Sequence, residues 1–133
     1  MDYTQNLNLP QFAETDRIHH DDFNAAFAAI DAAMPHIAVG TYIGTGQYGA
    51  AHPNTLTFDF VPKLVIVQPE GSSTALGLFW QGSTQAGIEY STGYGASLNV
   101  SWSNGGKTVH WYNGSSVFEQ MSTANKHYYL AIG

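Results

Sequence analysis

The sequence contains no cysteine and only four basic residues. Without cysteine there are no disulfides, thiolate nucleophiles or thiolate metal sites, so stability must come from packing, with oligomerisation as a further source. The four cations, Arg17, Lys63, Lys107 and Lys126, are scattered singly against ten acidic residues. Because binding to a phosphate backbone needs clustered lysine and arginine, nucleic acid is not expected as a partner.

Long apolar runs are also missing: no stretch approaches the roughly 18 residues that span a bilayer, so membrane insertion is not expected. The first residues, Met-Asp-Tyr-Thr-Gln-Asn, lack the basic and apolar regions of a signal peptide. Charged residues make up 11% of the chain, against about a quarter in typical proteins, so the surface must be mostly neutral and polar. This combination favours a β-rich protein of an assembled particle that is released by lysis.

One helix is predicted over residues 21–34, DDFNAAFAAIDAAM. His19 is expected at the N-cap, acidic residues follow in the first turn, where the helix dipole favours them, and Pro35 ends the helix. The large apolar side chains are spaced four, three and four residues apart, as in a heptad seam. They are Phe23, Phe27, Ile30 and Met34.

Alanines flank this seam on nearly every side, and two heptads are too short to be stable alone in water. The seam is therefore predicted to be a subunit interface. Packing of the helix on the β domain of its own chain is the alternative.

After Pro35, short runs punctuated by Gly, Asn and Ser predict a β domain over residues 36–133, preceded by an extended lead-in and assembly helix over residues 1–35. The expected fold is mainly β, an antiparallel, jelly-roll-like β-sandwich after a short N-terminal α-helix. Strands are predicted near 37–43, 54–60, 63–68, 76–81, 86–91, 96–103, 107–112 and 127–132.

Two of these strands are particularly informative. Leu98, Val100 and Trp102 alternate with polar residues, and the chain returns through an Asn-Gly-Gly turn to Val109 and Trp111, which predicts a hairpin. The run Leu-Val-Ile-Val at 64–67 is apolar without alternation. Such a strand is expected to be covered on both faces, either by the second sheet and the helix or by another subunit.

Several segments occur in a distinctive order: the lead-in NLNLPQFAETDRI before the helix, VGTYIGTG at 39–46, LTFDFVPKLVIV at 56–67 and YYLAIG at 128–133. Together they resemble small phage and prophage tail proteins, especially tail-fibre and receptor-binding components. The resemblance implies a homotrimer in the virion, contacts with other tail or baseplate proteins, and attachment to a host-surface glycan or protein. The chain lacks the extended shaft of long fibres, which puts a reaching role in doubt.

No catalytic, metal or cofactor site is predicted. In the cluster His19, His20, Asp21 and Asp22, only His19 and Asp22 have a helical spacing, and two ligands fall short of a closed site. The carboxylates of the β region, Asp59, Glu70, Glu89 and Glu119, do not pair by sequence context. An enzyme is therefore the third hypothesis, after a tail protein and a stand-alone carbohydrate-binding module.

Exposed aromatic rings with amide neighbours are typical of sugar and peptide recognition. Tyr90 and Tyr94 flank a Ser-Thr-Gly turn, and Tyr112 faces outward by alternation. With Gln81 and Asn113 in neighbouring loops, these residues are the predicted ligand-facing rim.

Overall fold

The computed structural model of the chain describes residues 1–71, 75–89 and 95–133. These form two compact units, Met1–Pro35 and His36–Gly133. The described residues are mainly β with one short α-helix, as the sequence predicts.

The first unit combines a small hairpin with the helix. Strands β1 (Asp2–Tyr3) and β2 (Pro10–Gln11) pair antiparallel. Thr4 closes the hairpin, because its backbone N–H donates to the Leu9 oxygen at 2.8 Å and its Oγ1 accepts from the Leu9 N–H at 2.9 Å. The lead-in, which the sequence predicts to be extended, thus forms a hairpin.

Helix α1 spans His20–Ala33. His19 has an extended backbone, and its N–H donates to Asp22 Oδ2 at 3.3 Å, so His19 is the N-cap as predicted. Met34 is already extended, since a following proline disfavours the helical conformation.

Within its described residues the second unit has eight strands, and each lies where the sequence predicts one, with ends that differ by at most three residues. They are β3 (Ile37–Ile43), β4 (Asn54–Thr57), β5 (Leu64–Pro69), β6 (Leu76–Trp80), β7 (Gln85–Glu89), β8 (Gly95–Ser103), β9 (Thr108–Tyr112) and β10 (Lys126–Ile132).

All eight strands belong to one antiparallel sheet in the order β3-β10-β5-β6-β7-β8-β9-β4. The five strands from β5 to β9 are neighbours in chain order, and β3 and β4 are the two edges. A jelly roll is built from two Greek keys, in which a strand returns by a long connection beside an earlier one. Strands β5 to β9 form a meander, and β10 then returns from β9 by a long connection to lie beside β5, as in one such key.

The sheet bends over a shared core. Phe79 of β6 and Trp111 of β9 are both fully buried, and their rings stack with centroids 4.8 Å apart, although two strands separate them in the sheet. Tyr42 of edge strand β3 meets Trp111 edge-on at 5.8 Å. The buried apolar side chains are Leu56, Phe58, Val65, Val67, Ala75, Phe79, Leu98, Val100, Val109, Trp111, Met121 and Ala131.

The predicted hairpin of β8 and β9 is confirmed. Its turn is Asn104-Gly105-Gly106, in which all three residues have positive φ. Trp111 is fully buried, and Trp102 is half-buried, with its Nε1–H donating to the Ser83 oxygen at 3.1 Å.

Candidate functional site

The residues of the predicted ligand-facing rim do not form one cluster. Tyr90 and Tyr94 lie outside the described residues. Gln81 is exposed, and its amide nitrogen donates to the backbone oxygens of Pro62 at 2.7 Å and Gly106 at 3.2 Å. Gly106 precedes β9, whereas Tyr112 and Asn113 stand at its far end, about 20 Å of extended chain away.

Asn113 has a structural position. It is only 5% exposed. Its Nδ2 donates to the Ser97 oxygen at 2.9 Å, and its Oδ1 accepts from the backbone nitrogens of Ser115 at 2.6 Å and Ser116 at 3.3 Å. These bonds fix the turn after β9. Tyr112 is half-buried on the outward side of β9, and ligand binding by the predicted rim stays a prediction.

The outer surface of β3, β10, β5 and β6 carries two rows of apolar side chains. Each row runs across all four strands through directly paired residues. The first row is Val39, Leu130, Ile66 and Leu78, and the second is Ile37, Ile132, Leu64 and Trp80. We call these eight residues the apolar face.

The apolar face is unusually open to solvent. Val39 is 73% exposed, and Ile37 and Trp80 are each 62% exposed. Between these outward residues, the same strands bury Val65, Val67 and Phe79 in the core. Strand β5 is thus apolar on both sides, and a monomer rarely leaves such a contiguous patch uncovered.

A small group of polar side chains borders the apolar face. Glu70 Oε1 accepts a hydrogen bond from the Tyr128 hydroxyl at 2.9 Å and is paired with Lys126 Nζ at 3.3 Å. The bond from Tyr128, followed by that from Lys126, lowers the pKa of the Glu70 carboxyl, while Glu70 raises the pKa of both partners. All three groups are solvent-accessible, so the pair stabilises the fold little, but its charges cancel at this border.

The outer surface of β8, β9 and β4 has the opposite chemistry. Its outward residues are Ser97, Asn99, Ser101, Ser103, His110, Tyr112, Thr55 and Thr57, and we call them the polar face. His110 lies among them, as the alternation predicts. Its Nδ1 is 2.9 Å from Thr55 Oγ1, and its Nε2 is 2.8 Å from Ser103 Oγ.

This chain of hydrogen bonds resembles part of a hydrolase triad but lacks its acid. A carboxylate at Nδ1 stabilises the imidazolium that forms when a serine is deprotonated. Here a threonine hydroxyl occupies that position. A neutral imidazole donates with one nitrogen and accepts with the other, so the arrangement is well suited to joining three strands.

The apolar seam of α1, formed by Phe23, Phe27, Ile30 and Met34, is exposed along its whole length, with values from 38% to 64%. The rings of Phe23 and Phe27 stack at 6.4 Å, and Phe12 lies 5.6 Å from Phe23.

Another side of the helix is occupied by the lead-in. The residues that line a cleft there are Asp22, Ala25, Ala26 and Ala29 of α1 together with Tyr3, Leu7, Asn8 and Pro10 of the hairpin. The hairpin therefore lies along the small side chains, and Phe27, Ile30 and Met34 of the seam stay exposed.

Metal-binding groups are few. The acidic and histidine residues at the start of α1 are already engaged, because Asp22 caps the helix and His20 Nε2 pairs with Asp21 Oδ1 at 2.9 Å on the exposed surface. Across residues 1–71, 75–89 and 95–133, no three His, Asp or Glu side chains come together as a metal site would require.

In the part of the chain that the structure describes, no helix has both the length and the hydrophobicity to cross a lipid bilayer. Comparisons with protein families, with characterised proteins and with solved structures find no match. The function of the chain therefore has to be inferred from its own surfaces.

Proposed function

We propose that the chain is a non-catalytic structural subunit of a phage tail or tail-like particle, which assembles as a homotrimer and attaches to a host-surface glycan or protein. The observation that carries this proposal is the solvent-exposed apolar seam of α1, in a unit separate from the β unit. A seam of this kind is a common device for joining identical subunits.

The energetics of the helix support assembly. A helix of 14 residues is marginal in water, and the small hairpin lies along its alanine side. Burying aromatic and aliphatic side chains contributes about 1.5–3 kcal/mol each when they leave water completely. Contact between the seams of neighbouring subunits would supply this stabilisation. The threefold arrangement itself comes from the sequence resemblance.

We further propose that the β unit is a two-layered sandwich, with β3, β10, β5 and β6 in one layer and β7, β8, β9 and β4 in the other. The stack of Phe79 on Trp111 supports this division, because it joins strands that are far apart in the sheet. In the described ranges, β6 and β7 pair at two positions, Leu76 with Glu89 and Gly77 with Ile88, which fits a bend at this junction.

The polar face is the best candidate for host attachment. Its hydroxyl, amide and imidazole groups, with the Tyr112 ring at one end, provide the donors and acceptors that sugars and polar peptides need. In this proposal the layer of β7, β8, β9 and β4 presents the polar face to the host. The polar face makes no contact with the other subunits of the trimer.

Sedimentation equilibrium tests the helix part of the proposal. The full chain should be a trimer at micromolar concentration, and Phe27→Glu should dissociate it, because a buried carboxylate at the seam is costly. Ala28→Glu is the matched control, since it adds the same helix-compatible charge on the next, exposed position outside the seam. A wild-type chain that stays monomeric at high concentration would contradict the proposal.

The polar face also favours a second candidate, a stand-alone carbohydrate-binding module with no role in tail assembly. Binding of the intact protein to a glycan array, together with a persistent monomer, would support this alternative. Release of reducing ends from a bound polysaccharide would instead point to an enzyme.

A further inference from the structure

The apolar face has the composition and extent of a subunit contact rather than of a ligand site. Its two rows cross four strands that are about 4.8 Å apart, and the rows lie about 7 Å apart along the strands, so the eight Cα positions span roughly 15 by 7 Å. The protruding side chains add accessible area, which brings the patch into the range of the largest patches on monomers. A standard interface uses about 800 Å² per partner, so this face could supply a large part of one.

Trp80 is the residue of the apolar face from which we expect the largest contribution to binding. It is 62% exposed and stands at the end of one row, beside Leu64 of β5. Exposed tryptophans of this kind are enriched among the residues that dominate binding energy at protein interfaces.

The two edge strands of the sheet differ in length and in the side chains that they present outward. Edge strand β3 is seven residues long, has no charged residue and no proline, and presents Ile37 and Val39 outward. The other edge, β4, has four residues, follows Pro53 and points Thr55 and Thr57 outward. Soluble proteins usually protect a long edge with charges, proline or a covering element. The edge beside the apolar face is therefore the longer of the two and has no proline directly before it.

Charge favours an identical partner at this location. The chain carries a net charge of −6, so most of its surface would repel a second copy. On the apolar face itself there is no charge, and at its border Lys126 compensates Glu70. Lys63 is exposed just before β5.

We propose that the apolar face is buried against the apolar faces of other copies of this chain, so that the β units themselves form part of the subunit interface. The inference deepens the proposed function and rests on the chain being an assembly subunit. It does not require that α1 makes the contact.

A charge placed at the most exposed residue of the apolar face tests the inference in the full chain. Val39→Glu should raise the dissociation constant of the oligomer on the order of 100-fold or more, because it buries like charges between copies. Ser101→Glu is the matched control: it adds the same charge at an exposed, outward position of β8, and its dissociation constant should stay within about threefold. Equal effects of the two variants, or no effect of Val39→Glu, would overturn the inference.

Cross-linking identifies the occupant directly and does not depend on the charged variant folding. Because the chain has no cysteine, Val39→Cys gives a single site for a photoreactive maleimide. In a mixture of ¹⁴N- and ¹⁵N-labelled chains, we expect cross-links from residue 39 to residues 36–133 of a different copy. Cross-links confined to residues 1–35, or to the same copy, would overturn the inference.

The helix interface and the contact through the apolar face can be refuted independently. If Phe27→Glu leaves the oligomer intact and Val39→Glu dissociates it, the helix is not the interface and the β contact stands. If Phe27→Glu dissociates the oligomer and Val39→Glu does not, the helix forms the trimer and the β contact is wrong.

Discussion

The indole nitrogen of Trp111 donates a 2.9 Å hydrogen bond to the backbone oxygen of Gln120, which joins the centre of the core to a buried residue outside the strands. The Gln120 side chain extends the connection. Its Oε1 accepts from the backbone nitrogens of Gly49 at 2.9 Å and Asn113 at 3.0 Å, and its Nε2 donates to the His52 oxygen at 2.6 Å. One buried amide thus holds two loops against the sheet.

Replacing Gln120 should therefore be strongly destabilising. Gln120→Leu keeps the size of the side chain but leaves the partners of the amide unpaired. Each buried group without its hydrogen bond costs about 1–3 kcal/mol. We expect a loss of about 3 kcal/mol or more in urea unfolding. Gln47→Leu, at an exposed loop position, should change stability by less than about 0.5 kcal/mol. Similar losses in both variants would contradict the role of this amide.

A second prediction concerns a glycine that is required for close packing. A Cβ on Gly44, just after β3, would collide with the backbone of Ser122 and Thr123, whereas one on Gly87 of β7 would meet nothing within 4 Å. Gly44→Ala should cost about 1–3 kcal/mol or more, because backbone has to move. Gly87→Ala should be neutral or slightly stabilising, since it restricts the unfolded chain. Thermal unfolding of the two variants side by side distinguishes them.

The sequence predicted the strands well because their signals are local. Alternation such as Leu98-Val100 and the Asn-Gly-Gly turn are contained in a few residues. The order of the sheet was not predictable in the same way. Strand β3 pairs with β10, at the other end of the unit, and no local pattern specifies such a distant partner.

The candidate site was predicted less well, for a related reason. Polar residues between strands indicate exposed loops, yet Gln120, Ser122 and Asn113 are buried because their side chains hydrogen-bond to the backbone and to polar neighbours. The apolar face had one visible signal, the unbroken Leu-Val-Ile-Val run of β5. Its full extent depends on the register of three neighbouring strands, which only the structure provides.

A third prediction concerns the pH dependence of stability. His127 is fully buried, its Nδ1 lies 2.9 Å from the Asn125 oxygen, and its ring stacks on Tyr42 at 4.6 Å. Its Nε2 is buried without a hydrogen-bond partner among the described residues. Burial lowers the pKa of His127, because the charged form would lose its hydration.

The sign follows from which state binds the proton more readily. In the unfolded chain this histidine becomes protonated as the pH falls through about 6.5, whereas in the folded chain it becomes protonated only at a lower pH. Its contribution to stability is therefore complete above about pH 6.5 and is lost as the pH falls below it, with a slope of at most about 1.4 kcal/mol per pH unit. In urea unfolding between pH 7.5 and 5.5, His127→Phe should flatten this slope, and His52→Gln, at an exposed position, should not. If the free energy of unfolding of His127→Phe has the same pH slope as that of the wild type, other groups cause the pH dependence.

A fourth prediction concerns the hydrogen-bonded chain on the polar face. Thr55, His110 and Ser103 belong to three adjacent strands, so each of the two bonds to the imidazole joins a pair of side chains across the sheet. Because these groups are partly exposed, water can replace a lost partner, and Thr55→Val or Ser103→Ala should cost only about 0.5–1.5 kcal/mol. Ser101→Ala keeps both bonds and should stay within about 0.5 kcal/mol of the wild type.

The imidazole also makes the two hydroxyls interdependent, which gives this prediction a sharper readout. One ring nitrogen of neutral His110 donates and the other accepts, so the roles of Thr55 and Ser103 are opposite and are fixed together by the tautomer. Removing either hydroxyl should shift the tautomer populations, measured from the ¹⁵N chemical shifts of the His110 ring at neutral pH. If both variants leave these shifts unchanged, the hydroxyls do not set the tautomer, and the polar face is better described as a set of independent solvated groups.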